Sequence, residues 1–159
     1  MCISGIFSAL VFVITAYLHI PTTNGYVHCG DGFIFIAACI LPMPYSIMVG
    51  VLGAMLADLL TGFAIWAPGS MIIKGLLALL FTCKSNKIIT KRNLAMLLPA
   101  ALISAAGYCL YEALITGSFI AALAGIPASL VQALASSVVF VALGAAMDKY
   151  NLKKKMFEG

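Results

Sequence analysis

Across its first 83 residues this chain carries only three Asp, Glu, Lys or Arg side chains, Asp31, Asp58 and Lys74, and between residues 93 and 147 only one, Glu112. Soluble domains hold about 25% charged and about 45–50% apolar residues. Here the values are 9% and 64% over 159 residues, and a chain of that size has too little interior to hide the excess. Its solvent is therefore lipid. One helix needs about 20 residues to cross a ~30 Å hydrocarbon core. That limits the crossings to about six and leaves no room for a large catalytic or nucleotide-binding module. The expected fold class is an all-α integral membrane protein, a single membrane-embedded domain over residues 1–159.

Breaks in the apolar pattern place the spans. Residues 2–20 are uncharged and make the first, read as a retained span because no basic leader precedes it and no small-residue cleavage site follows. Residues 21–30 (PTTNGYVHCG) have loop composition. The runs 31–41 and 45–61, parted by Pro42 and Pro44, fit either two short spans or a re-entrant hairpin. Residues 62–68 form a connection, 69–81 a fourth span opened by Ala67 and Pro68, and 84–93 a polar loop. Residues 94–115 and 125–147 are the fifth and sixth spans, and the apolar stretch 116–124 is expected along the interface.

Eight of the nine Lys and Arg residues lie in two places: Lys84, Lys87, Lys91 and Arg92 after the fourth span, and Lys149, Lys153, Lys154 and Lys155 after the sixth. By the positive-inside rule both clusters are cytoplasmic. Two spans separate them, the even number required, and counting back puts both termini in the cytoplasm. The clusters also suit contacts with lipid headgroups.

Four ionisable side chains remain near or inside the spans, Asp31, Asp58, Lys74 and Glu112; each costs several kcal/mol if left facing lipid, so each must meet protein, water or a partner. Counted along their helices, all four fall in the outer half of the bundle. Ser104, Tyr108 and Glu112 share one helix face, as do Ala128, Gln132 and Ser136. Asp58 continues a stripe of the small residues Gly50 and Ala54. The outer loop adds Asn24, Tyr26 and His28, and the connection before the fourth span adds Trp66, the sole tryptophan.

These residues predict an outward-facing binding pocket. Trp66 and a tyrosine offer faces for a flat ring; Asn24, His28, Asp31, Lys74, Glu112 and Gln132 offer hydrogen bonds. A purely structural reading stands beside it. Asp31, Asp58 and Lys74 form an ion network in that view, Trp66 anchors at the interface, and Tyr108 packs. Glu112 and Gln132 resist it because neither has an obvious local partner in the sequence. Three carboxylates against one lysine favour a neutral or weakly basic solute over a polyanion.

Other chemistry finds little support. The five cysteines, Cys2, Cys29, Cys39, Cys83 and Cys109, are scattered and unpaired, which suits packing better than disulfides or zinc. No HExxH, GxSxG or Walker-type motif is present, and His28 with Asp31 makes at most a weak metal pair. Near the start of the first span, Ser4, Gly5, Ser8 and Ala9 form two overlapping small-xxx-small pairs on one face, suited either to internal packing or to docking a partner helix.

The segments GYVHCGDGFIFIAACILP at residues 25–42 and GVLGAMLADLLTGFAIWAPGSMIIKGL at residues 50–76 carry a GD, AD and IKG series in order. Over roughly residues 3–147 the chain resembles the S component, the substrate-binding subunit, of energy-coupling factor (ECF) vitamin transporters. Within that group it looks most like the hydroxymethylpyrimidine, pyridoxine and riboflavin type. The resemblance implies six transmembrane helices, a vitamin site at the outer face and a first outer loop that covers it. It also implies a transmembrane coupling subunit docked on the small-residue face, with Gly5 and Ala9 at the AxxxA positions, and two ATPase subunits that drive toppling. No cofactor belongs to this chain; ATP is used by the partners. The resulting expectation is a non-enzymatic vitamin-capture protein of the cell membrane, for a small heteroaromatic compound such as hydroxymethylpyrimidine or pyridoxine. A proton-coupled solitary carrier or an intramembrane metal-dependent enzyme is the alternative.

Overall fold

The computed structural model describes residues 2–21 and 26–158. Helix α1 (Cys2–Tyr17) buries Phe7, Val11 and Thr15, residues four apart on one face, against α3 (Met43–Leu60). Gly53 allows the helices to meet, since a β-carbon there would lie 2.6 Å from Val11 Cγ1. The first helix ends earlier than the apolar run suggests. Strands β1 (His19–Pro21) and β2 (Tyr26–His28) pair antiparallel, His19 opposite His28 and Ile20 opposite Val27. The expected plain loop is thus flanked by a hairpin, in which Pro21 halts the helix and the β-branched Ile20 and Val27 favour extended chain.

Helix α2 (Asp31–Ile40) buries every residue except Phe33. Its 10 residues span only about 15 Å, half of a hydrocarbon core. It nevertheless links the two ends of the bundle. Asp31 at its start meets Lys74 and Gln132, while Cys39 near its end meets Asn93 and Lys153. The hairpin segment precedes one end, and Lys153 reaches in to the other. Gly32 lets α2 lie against α8 (Ile126–Lys149), where a β-carbon would come 2.7 Å from the Ser136 carbonyl oxygen.

Pro42 and Pro44 open α3, and a 3-10 turn (Ala64–Trp66) leads into α4 (Ala67–Leu80), with Pro68 in its first turn. The polar loop is shorter than expected because α5 (Lys91–Ala95) begins within it, capped by the Thr90 hydroxyl, which accepts from Asn93 N at 3.1 Å. Helix α6 (Leu97–Thr116) ends at Gly117 with φ +68°, a left-handed turn that favours glycine. The stretch expected at the interface folds as α7 (Phe119–Ala124), with Ile120 84% exposed, followed by α8 and α9 (Leu152–Glu158).

Phe35, Phe81 and Phe140 fill the centre, Phe35 stacked on Phe81 with ring centroids 4.5 Å apart. Among the described residues three helical runs are long and apolar enough to cross a membrane, Met43–Leu60, Lys91–Thr116 and Phe119–Lys149; the apolar helices Cys2–Tyr17, Asp31–Ile40 and Ala64–Leu80 are shorter. The chain is an all-α, multi-pass membrane bundle with one small hairpin. At one end gather the C-termini of α1, α3 and α6 and the N-termini of α2, α4 and α8. At the other end, Asp148 accepts from the backbone N–H groups of Ile88 and Ile89 at 2.8 and 2.9 Å, joining the second basic cluster to the first.

Candidate functional site

The end away from the basic clusters is hollow. A cavity open at its mouth is bounded by β2, by Thr15 of α1, Ala54 and Asp58 of α3, Trp66, and Ser70 and Lys74 of α4. Tyr108 and Glu112 of α6, the α7–α8 junction, and Ala128, Ser129 and Gln132 of α8 complete the wall. Helical periodicity explains much of this lining: Ser70 and Lys74, Tyr108 and Glu112, and Ala128 and Gln132 are each four residues apart on one face.

The floor is ionic. Lys74 Nζ lies 2.7 Å from Asp31 Oδ1 and donates to Oδ2 at 3.0 Å, while Gln132 Nε2 donates to the same Oδ2 at 3.1 Å. Lys74 Nζ also stands 4.9 Å from the centroid of the Tyr108 ring, within cation–π range. The Tyr108 hydroxyl is 3.3 Å from the Ser70 hydroxyl. The lysine charge is therefore spoken for by a carboxylate and a π face.

Aromatic groups line the walls. Trp66 packs beside Tyr108 and Tyr111, centroids 6.1 and 5.9 Å away. Tyr111 donates to the Ile65 carbonyl at 2.7 Å, and its ring fills the space a side chain at Gly69 would need. Across the mouth, Tyr26 of β2 lies against Phe63 and His19, centroids 4.8 and 4.9 Å away, and its hydroxyl donates to Asp58 Oδ1. Burial, followed by the Asp58 charge, raises the Tyr26 phenol well above its usual range, so it stays a donor. His28 Nδ1 accepts from Gly30 N at 3.0 Å. Burial pulls this imidazole down to about 3 and keeps it neutral.

Of the sequence-derived binding candidates, Tyr26, His28, Trp66, Lys74, Tyr108, Glu112 and Gln132 meet in this cavity. Asn24 lies outside the described residues. Asp31 does not line the cavity; it sits beneath it as the acceptor that positions Lys74 and Gln132. The expected ion network is smaller than three. Asp31 and Lys74 pair, whereas Asp58 receives Tyr26 and faces the pocket. Gln132 and Glu112 also have local neighbours that their sequence context hid. Gln132 meets Asp31, and Glu112 lies so near the α8 N-terminus that a β-carbon at Gly125 would come 2.6 Å from its carboxylate oxygen. Thr15, Ser70 and Ser129 were not anticipated; Ser70, four residues before Lys74, is the one that helical spacing identifies.

Among the described residues no cluster of three or more His, Cys, Asp or Glu side chains is arranged to hold a metal ion. On the small-residue face of α1, Gly5 and Ala9 are exposed, and nothing lies within 4 Å of a β-carbon built at Gly5. Ser4 and Ser8 are half-buried beside it.

Over residues 1–149 the sequence matches the family model described as ECF-type riboflavin transporter, S component. No curated protein matches the chain.

Proposed function

Because this chain belongs to the ECF-type riboflavin transporter S-component family, the substrate-binding subunits of a vitamin-uptake system, we propose that its hollow end faces outward and captures a flat, neutral heteroaromatic vitamin. One observation carries the reading: a cavity lined by Trp66, Tyr108, Glu112, Lys74 and Gln132 lies at the end opposite both basic clusters. The positive-inside rule assigns those clusters, and with them both termini, to the cytoplasm of a six-span protein in the cell membrane. The aromatic wall suits a ring face, and buried polar groups suit the donors and acceptors on its edge.

Riboflavin is the first candidate, in keeping with the family's name; hydroxymethylpyrimidine and pyridoxine are smaller rings of the same character. The commitment of Lys74 to Asp31 argues against an anion such as pantothenate, which would have to break that ion pair to gain its counter-charge. The exposed Gly5 and Ala9 form the face for a transmembrane coupling subunit. ATP hydrolysis is the work of two further subunits.

Purified protein titrated with riboflavin should quench the flavin's fluorescence to saturation and melt at a higher temperature, by linkage. Gln132→Leu should weaken binding while the protein still inserts and purifies. A chain that retains no vitamin, and whose melting temperature none of riboflavin, hydroxymethylpyrimidine, pyridoxine or pantothenate raises, refutes the proposal.

A further inference from the structure

Asp58 is 3% exposed and lines the cavity, yet among the described residues only one of its two carboxyl oxygens has a hydrogen-bond partner. Oδ1 accepts from Tyr26 of the hairpin, whereas Oδ2 is buried without one. The Ser70 hydroxyl lies near the same carboxyl group and meets Tyr108 at 3.3 Å, but no hydrogen bond from it reaches Oδ2. A buried acceptor left empty costs free energy, and few native ones stay so without a role. The two oxygens also belong to different functions in space. Tyr26 ties β2 to the end of α3, 32 residues away, across the cavity mouth, and the other oxygen belongs to a side chain that forms part of the cavity wall.

We propose that Asp58 is a shared acceptor that couples ligand to hairpin: Oδ1 fastens β2 over the mouth through Tyr26, and Oδ2 receives an N–H or O–H donor from the bound molecule. A ligand with a ring N–H or a hydroxyl at that edge completes the carboxyl group, whereas an analogue alkylated there leaves it empty. Filling Oδ2 also fixes the rotamer that presents Oδ1 to Tyr26, so occupancy and closure reinforce each other. The ligand half of this inference rests on the vitamin-binding reading above; the fastening of the hairpin does not.

Two substitutions separate the halves. Tyr26→Phe removes the fastening and keeps the empty acceptor. Asp58→Asn keeps an oxygen for Tyr26 and puts an amide donor where the acceptor was. With riboflavin as probe, Asp58→Asn should weaken equilibrium binding about tenfold, and Tyr26→Phe should speed dissociation, measured by stopped-flow fluorescence, by a similar factor. The double variant should lose less than the product of the two effects, the mark of coupled sites. Asp58→Asn that binds riboflavin as tightly as the parent and merely melts higher overturns the shared acceptor, because Oδ2 is then only a structural cost. Multiplicative losses overturn the coupling. A ligand-free measurement separates this from the vitamin reading: hydrogen exchange at the amides of residues 26–28 should accelerate in Tyr26→Phe and stay unchanged in Asp58→Asn. Unchanged exchange in Tyr26→Phe overturns the fastening whichever vitamin the protein takes.

Discussion

Lys74 Nζ lies 2.7 Å from Asp31 Oδ1, with the two side chains only 1% and 2% exposed, although 43 residues separate them in the chain. The pair bolts α4 to α2 beneath the cavity and presents Gln132 to the same carboxylate. Removing one member of a buried pair strands the other, at about 3–5 kcal/mol. Asp31→Asn and Lys74→Met should each lower stability by that order in detergent-solubilised protein. The double variant Asp31→Asn with Lys74→Met should lose less than the two singles together. Additive losses in a thermal-unfolding cycle would show that the pair does not act as a unit.

His28 makes the hairpin sensitive to acid. Its folded-state value is about 3, depressed by burial from an ordinary 6.5. Between those values the unfolded chain binds a proton that the folded chain refuses, so stability is fully present above pH 6.5 and falls as the pH drops towards 3. Protonation would also take away the Nδ1 lone pair that accepts from Gly30 N. Melting temperatures followed from neutral to acid pH should decline less steeply in His28→Gln than in the parent, and identical slopes would refute the assignment.

At the opposite end Lys153 is half-buried, unlike the exposed Lys149, Lys154 and Lys155 of its cluster. Its ammonium donates to the carbonyl oxygens of Cys39 at 2.6 Å, Cys83 at 2.7 Å and Ser85, which ties the last turn of α2 to the chain after α4 with one side chain. Lys153→Met should cost about 1–2 kcal/mol and hasten amide exchange in residues 82–90. Riboflavin affinity at the far end should be preserved. Exchange that does not change would mean the contacts contribute nothing to holding that loop.

The exposed small face of α1 yields a prediction about assembly. Gly5→Leu and Ala9→Leu fill the groove into which a coupling helix would fit, and the space around Gly5 is open in the isolated subunit. Both variants should bind vitamin normally and fail to co-purify with a transmembrane coupling subunit. Normal assembly in both would assign the face to lipid.

The depth of Lys74, Glu112 and Gln132 was legible in the sequence because the cost of a polar group in lipid depends on position along a helix, and that can be counted. The hairpin is not legible: strands of three residues are too short to show alternation, so His19 and Ile20 read as the end of a span and Pro21 as the start of a loop. The sequence also leaves open an ion network that includes Asp58, for a related reason. A carboxylate near a lysine in depth need not be near it around the bundle axis, and here Asp31 took the lysine while a tyrosine took Asp58. Ser70 could have been found from its i, i+4 relation to Lys74. Thr15, one polar residue in the last turn of an apolar helix, gave no such cue.

The amino-acid order alone determined that this chain lives in lipid, which of its side chains must turn inward and which end is basic. Those properties follow from transfer free energies that each residue carries with it. Tertiary structure decided who meets whom: Tyr26 with Asp58 across 32 positions, Lys74 with Asp31 across 43 and Gln132 with Asp31 across 101. Hydrogen bonds and ion pairs reward ångström-scale geometry, and that geometry exists only once the helices have packed around their glycines and aromatic rings.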